Sequence, residues 1–454
     1  MKTKHFLYMA LIISMPFLSA CNKLIDVRPP QNQLTTDKVF ADSTSAIAAL
    51  LNIYVTFEHS QDPSCNRYLS IYTDETISSS QQAYNQSRIL ANDGTNESDW
   101  NALYSIIYQC NLILQQTQTS AKLTDAFKKT IQNEAKVLRG YAYFYLVNLY
   151  GKVPLITTTD VNANRIAAQS DSATVYNQIV ADLTDARNNL PVAYQGSGKL
   201  RANKAVATAL LAKVSLYQRN WCMAEELASE LINSGVYTPL DNPANTFQIS
   251  SKGSILQFGS QAGYADGMGG VVPTSSTTPT SYYFTNDFYS SFESGDLRKA
   301  DWIGTNTVTA NNTVTYYYFP YKYKNSSANA TSPENLIAFR IAEQYLIRAE
   351  ARAYQGKLTG AGSALEDVNT IRNTAGLTSI TFTQFNDILQ AIYLERRHEM
   401  FFENADRFMD LKRTGRIQAV MSAAKPTWIK TAVLLPIPFT EISYDANLKQ
   451  NDGY

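Results

Sequence analysis

A chain of 454 residues can bury a large core, and at about 150 residues per domain it has room for two or three domains. Its 44% hydrophobic and 17% charged residues belong to a folded globular protein and exclude a disordered one. The formal charge is zero, and removing residues 1–20, which hold Lys2 and Lys4, leaves 37 bases against 39 acids; so even a balance argues against a nucleic-acid-binding face.

Lys2 and Lys4 precede an apolar run from Phe6 to Leu18. That run is too short to span a bilayer and has the form of a secretory signal, so residues 1–20 read as a leader. It closes on Leu18-Ser19-Ala20-Cys21, which has the form of a bacterial lipobox and predicts cleavage before Cys21 and acylation of that residue. Several acyl chains, each contributing about 0.8 kcal/mol per buried CH₂, make a stable anchor. No later segment is apolar for long enough to cross a membrane, so the expectation is a tethered chain. Cys65, Cys110 and Cys222 then remain. Their number allows at most one internal disulfide, their spacing fits no zinc site, and they read mainly as small buried hydrophobes.

Residues 22–38 are polar and proline-containing, an extended spacer. Asp42 or Ser43 can cap a helix carrying Ile47, Leu50, Leu51 and Tyr54 at helical spacing. Ser70 to Asp99 reads as a long loop, with Tyr72 and Tyr84 its aromatics. A second helix is expected from Trp100, with Leu103, Tyr104, Ile107, Asn111 and Leu114 on one face. The stretch from Glu134 to Tyr150 is apolar on most of its circumference and predicts a helix through the core, ended by Gly151 in a left-handed cap and by Pro154. Arg139 within it needs a carboxylate partner, because an unpaired buried charge costs several kcal/mol.

Internal similarity follows. Ala212, Tyr217, Gln218 and Ala224 correspond, 137 residues on, to Ala349, Tyr354, Gln355 and Ala361. Both segments read as helix, short turn, helix, and the Glu134 helix with Val175–Leu190 fits the same outline. Such pairs bury their faces by stacking, in the manner of tetratricopeptide repeats. Asn203 is placed to cap the first of them. Residues 241–335 break this rhythm with Gly, Ser, Thr, Tyr and Asn, and predict loops and a few hairpins over the helical scaffold.

Catalytic and cofactor motifs fail on inspection. Gly196-Ser197-Gly198-Lys199 is followed by Leu200 where a phosphate loop needs Ser or Thr. His398-Glu399 opens like a zinc-protease helix, but Phe402 stands where the second ligand belongs. Glu395, Glu399 and Glu403 share a helix face and repel unless arginines interleave, so Arg396, Arg397 and Arg407 predict a structural ion-pair network. Asp74 and Glu75 are the best candidates for a glycosidase pair, yet adjacent residues in an irregular segment give no reason to expect the separation that mechanism needs. No catalytic residue, metal or cofactor is expected.

The strings that remain resemble one family. Glu134, Ala135, Leu138, Arg139, Tyr145, Leu146, Tyr150, Gly151, Val153 and Pro154 match the hallmark helix of the SusD/RagB outer-membrane nutrient-binding lipoproteins, with Gly140 where alanine is usual. Arg340, Ala342, Glu343, Tyr345, Leu346, Arg348, Ala349 and Glu350 match a second motif, and Asn369, Arg372, Ala375 and Gly376 a third. Glu395, Arg396, Arg397, Glu399, Phe402, Glu403, Arg407, Asp410, Leu411 and Arg413 follow the family's charged block, with Asn404 and Phe408 as departures.

The resemblance implies a mainly α, tetratricopeptide-like core with an irregular, loop-rich cap. It divides the mature chain into 21–235 and 236–454, the latter carrying the insertion at 241–335. It further implies a lipid-anchored protein on the outer face of the outer membrane that captures oligosaccharide for a TonB-dependent importer of the SusC type, changes no bonds and binds no nucleic acid. In the family, Trp100, Tyr104 and Asn111 belong to core packing. A helical-repeat scaffold that binds protein or peptide, and a surface glycoside hydrolase, stand as alternatives. The abundant tyrosines, 29 in all, with many Asn, Gln, Ser and Thr, suit an uncharged polar ligand. Sugars need flat rings flanked by amides and hydroxyls on loops that a rigid scaffold holds, and Tyr84, Tyr264, Tyr282, Tyr283 and Trp302 are the candidates. Core roles for one of Tyr282 and Tyr283, and for Trp302, are equally expected, because Asp296-Leu297-Arg298 follows and resembles a family packing motif.

Overall fold

The computed structural model describes residues 36–260, 268–275, 277–325 and 334–454. Cys21 and Tyr264 lie outside them.

Asp42 caps α1 (Ser43–Thr56), accepting from the amides of Thr44 and Ser45 at 2.9 and 3.0 Å. Next come α2 (Asp62–Tyr72) and the short strand β1 (Thr76–Ser78). Asp93 then caps α3 (Gly94–Thr119) through the Asn96 amide at 2.9 Å. The expected long loop from Ser70 to Asp99 is therefore mostly structured: its polar residues are the capping and turn groups of short elements, and α3 begins six residues before Trp100.

The central helix is α4 (Asp125–Tyr150), buried almost without interruption from Asn133 to its end. Gly151 ends it at φ +77° and ψ −103°, a positive-φ conformation that a side chain resists, although not the left-handed helical pair of angles expected. After α4 the strands β2 (Val153–Pro154) and β3 (Gln169–Ser170) lead into α5 (Ser172–Asn189), which packs across α4. Arg139 meets Asp182 of α5 through two hydrogen bonds of 2.8 and 2.7 Å and Asn111 of α3 at 2.6 Å, so this buried cation of the hallmark run ties three helices together. Gly140 sits at the same crossing, where a β-carbon would come within 3.3 Å of Leu183. The propensity lost at this glycine is exchanged for close approach.

Asn203 caps α6 (Lys204–Tyr217) through the Val206 amide at 3.1 Å, and α6 turns back into α7 (Trp221–Asn233). The later pair is α8 (Ile341–Tyr354) and α9 (Ala364–Thr374), followed by α10 (Phe385–Met400) and α11 (Asp406–Arg413). Each helix packs on the next: α5 on α6, α6 on α7, α7 on α8, α8 on α9. The result is mainly α, a succession of helical pairs with short β elements. Among the described residues no helix is long and apolar enough to cross a membrane.

The β elements of the middle region are laid on this stack. They comprise β4 (Ser254–Phe258), β5 (Tyr282–Phe284), β6 (Ile303–Ala310), β7 (Thr313–Pro320) and β8 (Leu336–Arg340). Among the described residues they form two-stranded antiparallel ladders, β1–β5, β2–β3, β4–β8 and β6–β7, of which only β6–β7 closes through a tight turn. Cys65 and Cys110 are buried, as expected of small hydrophobes; Cys222 is exposed, which corrects that reading for it, and none of the three is in a disulfide.

Candidate functional site

The long hairpin β6–β7 is one of the few hairpins expected within residues 241–335, where the sequence does not itself locate it. Its turn is Asn311-Asn312, both at positive φ (50° and 60°), the arrangement whose twist matches a two-residue hairpin and that Asn tolerates. The register pairs Thr305 with Tyr318, Thr307 with Tyr316 and Thr309 with Val314. Side chains alternate faces along a strand, so these residues share one side and Asn306, Val308, Tyr317 and Phe319 share the other. The second side is the packed one: Asn306, Val308 and Phe319 are buried. Asn306 accepts from the Thr280 amide at 3.2 Å and donates to the Ser275 carbonyl at 3.0 Å, which fastens the preceding segment beneath the hairpin. Phe319 lies over Gly304, where a β-carbon would come 2.3 Å from the ring.

The outward side is the one available to a ligand. Tyr316 is 58% exposed, Thr305, Thr307 and Thr309 are exposed, and half-buried Tyr318 stacks on Tyr289 with 3.5 Å between centroids and 6° between planes. The Lys299 ammonium lies 4.0 Å from the Tyr289 centroid and holds that ring further. The arrangement is therefore aromatic rings beside a row of hydroxyls, on a strand whose opposite face is packed.

Both ends of the hairpin are clamped to the same charged segment, residues 395–403. Arg298, just before it, is fully buried and donates to Asp296 at 2.8 Å, Glu395 at 2.6 Å and Glu399 at 3.0 Å. Lys322, just after it, donates to the Glu399 carbonyl at 2.8 Å and to Glu403 at 2.5 Å. Arg340 joins Glu399 and Glu403 from β8. Burial pulls the Lys322 ammonium down to about 8 against the opposing pull of Glu403. The charged block of α10 is thus the structural network its spacing suggests, and its outcome is a fixed hairpin base.

The residues expected to bind ligand are distributed as follows. The stretch around Tyr84 and the stretch carrying Tyr282 and Tyr283 do meet, through the β1–β5 ladder, with Ile77 opposite Tyr283 and Ser78 opposite Tyr282. Tyr84 nevertheless turns inward. It is 3% exposed, donates to Asp93 at 2.9 Å and packs on Tyr68 and Tyr72, so it offers no ring face to solvent. Trp302 is 2% exposed, with its indole N–H on the Pro243 carbonyl at 2.7 Å and the Lys322 ammonium 4.7 Å from its ring, the core position that is one of the two roles expected of it. Tyr282 is also buried, beside Arg67 and Tyr68, and burial raises its hydroxyl. Half-buried Tyr283 meets half-buried Tyr317 of the hairpin edge-on at 5.2 Å. The missed residues, Tyr316, Tyr318, Thr305 and Thr307, carry a readable signal in the alternation of Thr with apolar residues either side of Asn311-Asn312.

A cleft of about 490 Å³ opens at the hairpin base, lined by Phe247, Gln248, Trp302, Lys322, Lys324 and Glu334 among others. Asp74 is held by Arg407 at 2.7 Å and Arg397 at 2.9 Å; burial pushes its carboxyl up, but the two arginines outweigh it and keep it at about 2. Burial raises the adjacent Glu75 to about 7. Asp74 is an ion-pair member inside the fold, which removes it from a hydrolytic pair. His398 is buried, shares a hydrogen bond with Ser291 at 2.9 Å and stacks on Phe292. Among the described residues no cluster of His, Cys, Asp or Glu could hold a metal ion.

A stack of helical pairs that holds a clamped hairpin, with aromatic and hydroxyl groups outward, is the architecture of a binding protein. Comparison with known proteins names the family. A family model described as starch-binding and associating with the outer membrane matches residues 23–216, and a SusD family model matches residues 274–454. The SusD-like proteins P38 and P25 of Formosa agariphila are 22% identical over 504 positions (98% of each chain) and 24% identical over 420 positions (78% of each). A SusD superfamily protein from Parabacteroides distasonis superposes with a TM-score of 0.79 at 22% identity, covering 93% of this chain and 100% of that one. A laminarin-binding SusD-like protein superposes at 0.75 with 25% identity, covering 90% and 99%. The chain belongs to the SusD/RagB family, whose members are binding proteins and not enzymes.

Proposed function

We propose that the protein captures oligosaccharide at the cell surface, on the outward face of the β6–β7 hairpin, and passes it to a TonB-dependent outer-membrane transporter of the SusC type. The observation that carries this reading is the face itself: Tyr316 and the Tyr318–Tyr289 stack beside Thr305 and Thr307. Pyranose rings present C–H faces ringed by hydroxyls, and flat side chains flanked by hydroxyl groups complement both. A laminarin-binding relative and a starch-binding family model support a glucan as the ligand. The tetratricopeptide-like stacking of the pairs supplies a broad outer surface for the transporter, whose stable docking needs ~1,200 Å² or more. Acylation at Cys21 holds the protein at the outer membrane.

The test is binding of the mature protein to laminarin and to soluble starch by affinity electrophoresis, with reducing ends followed over a long incubation. Retardation without new reducing ends supports the reading; release of product overturns it. Co-purification of a β-barrel transporter from detergent-solubilised membranes tests the partner, and a protein that always purifies alone under several mild detergents contradicts it.

A further inference from the structure

The chain contains four tryptophans, and three lie inside the fold: Trp302 donates to the Pro243 carbonyl, Trp428 donates to Gln418, and Trp100 is buried against Tyr104 and Tyr150. Trp221 differs. Its indole has no acceptor among the described residues, and its side chain is half-exposed at the first turn of α7. It is held firmly all the same. The ring lies parallel to Tyr354 at the end of α8, with centroids 4.1 Å apart and 5° between planes, and Phe385 closes edge-on against Tyr354 at 5.4 Å. Gln355 donates to the Trp221 carbonyl at 3.4 Å and to Glu225 at 2.8 Å, joining the two turns.

These turns are the repeat-related positions of the two helical pairs, and they do not behave alike. Tyr217 turns inward onto Phe144 at 4.9 Å, whereas its counterpart Tyr354 is 41% exposed. The exposed ring pair is therefore not a by-product of the repeat's own packing. Gln218, Arg219 and Asn220 stand exposed beside it, a rim of amides and a guanidinium.

We propose that Trp221 and Tyr354 form a second sugar-stacking platform, carried by α7 and α8 instead of the hairpin, which takes a further stretch of the same polysaccharide. The class of ligand rests on the glycan reading above. A preorganised aromatic surface with an open N–H donor and a rim of amides and a guanidinium suits a pyranose better than an apolar protein surface, which gains nothing from the unpaired donor. Two linked contacts on one polymer strengthen retention beyond either alone.

The experiment compares the mature protein with Trp221→Ala, Trp221→Phe, Tyr354→Ala and a Tyr316→Ala/Tyr318→Ala variant. Each is run on affinity gels containing laminarin or soluble starch, titrated with short oligosaccharides of both, and checked for an unchanged unfolding midpoint. The expected result is that Trp221→Ala weakens polysaccharide retention by about tenfold or more while short-oligosaccharide affinity stays as in the parent. Trp221→Phe keeps most of the retention, and polysaccharide shields Trp221 from iodide quenching. If Trp221→Ala alters the midpoint, Trp221→Phe and Tyr354→Ala carry the comparison. Parent-like retention in the Trp221 and Tyr354 variants, with loss in the hairpin variant, overturns this proposal and leaves the hairpin reading standing. The reverse pattern supports this platform and refutes the hairpin. No retardation and no shielding in the parent refutes both. Loss of transporter co-purification in Trp221→Ala with retention intact makes the patch a protein-docking surface and also overturns the proposal.

Discussion

Replacing Arg298 with Met tests whether the carboxylate clamp holds the hairpin. Arg298 is fully buried and serves three carboxylates. They do not lose equally. Glu399 keeps Arg340, and Asp296 keeps the Arg298 backbone amide at 2.9 Å, whereas Glu395 is left with Arg372 at 3.6 Å. The loss is therefore concentrated on one buried acid, and removing one partner of a buried pair costs about 3–5 kcal/mol. Urea unfolding at neutral pH should show a destabilisation of that order. Burial already raises Glu395, so the folded variant takes up a proton there more readily than the unfolded chain does. The deficit should shrink as pH falls toward the unfolded carboxylate range, and Glu395→Gln in the same chain should recover part of it. A single-variant loss below about 1 kcal/mol, or no recovery with Glu395→Gln, refutes the clamp.

Glu75 is buried, its Oε1 has no partner among the described residues, and burial raises it to about 7 from 4.5. The folded state therefore binds the extra proton between those values, stability falls as pH rises across them, and the penalty is complete above the folded value. Glu75→Gln should stabilise by up to about 3 kcal/mol near pH 8 and by little near pH 4.5; an equal gain at both refutes the assignment. Gly304→Ala should displace Phe319 and destabilise by about 1–3 kcal/mol in denaturant titrations, and a neutral result would mean that the ring moves freely. Cys21→Ala should abolish fatty-acid labelling and membrane retention; persistent labelling refutes the anchor.

The helical scaffold was legible because its signals are local. Asp42 and Asn203 cap where their side chains suggest, and the apolar run of α4 is buried as its composition requires. Arg139 announces the need for a carboxylate, but Asp182 lies 43 residues away on another helix, and no spacing rule selects it. The site was legible only in outline. Tyr84 sits in polar, loop-like sequence and reads as an exposed ring, yet Asp93 satisfies its hydroxyl inside the fold, and of the two roles equally expected for Trp302 the Pro243 carbonyl selects the core one. The hairpin was readable in principle from the Thr alternation around Asn311-Asn312. It was hidden because Gly304 and the three consecutive tyrosines obscure the alternation until the register is known.

The central claim, that the outward face of the hairpin carries the ligand, is tested most directly by isothermal titration of Tyr316→Ala and Tyr318→Ala. The titrant is laminari- or malto-oligosaccharide, whichever the parent binds. The account predicts that affinity falls by about 1–3 kcal/mol in at least one variant with the unfolding midpoint unchanged. Parent-like affinity in both variants, with the fold intact, would contradict it.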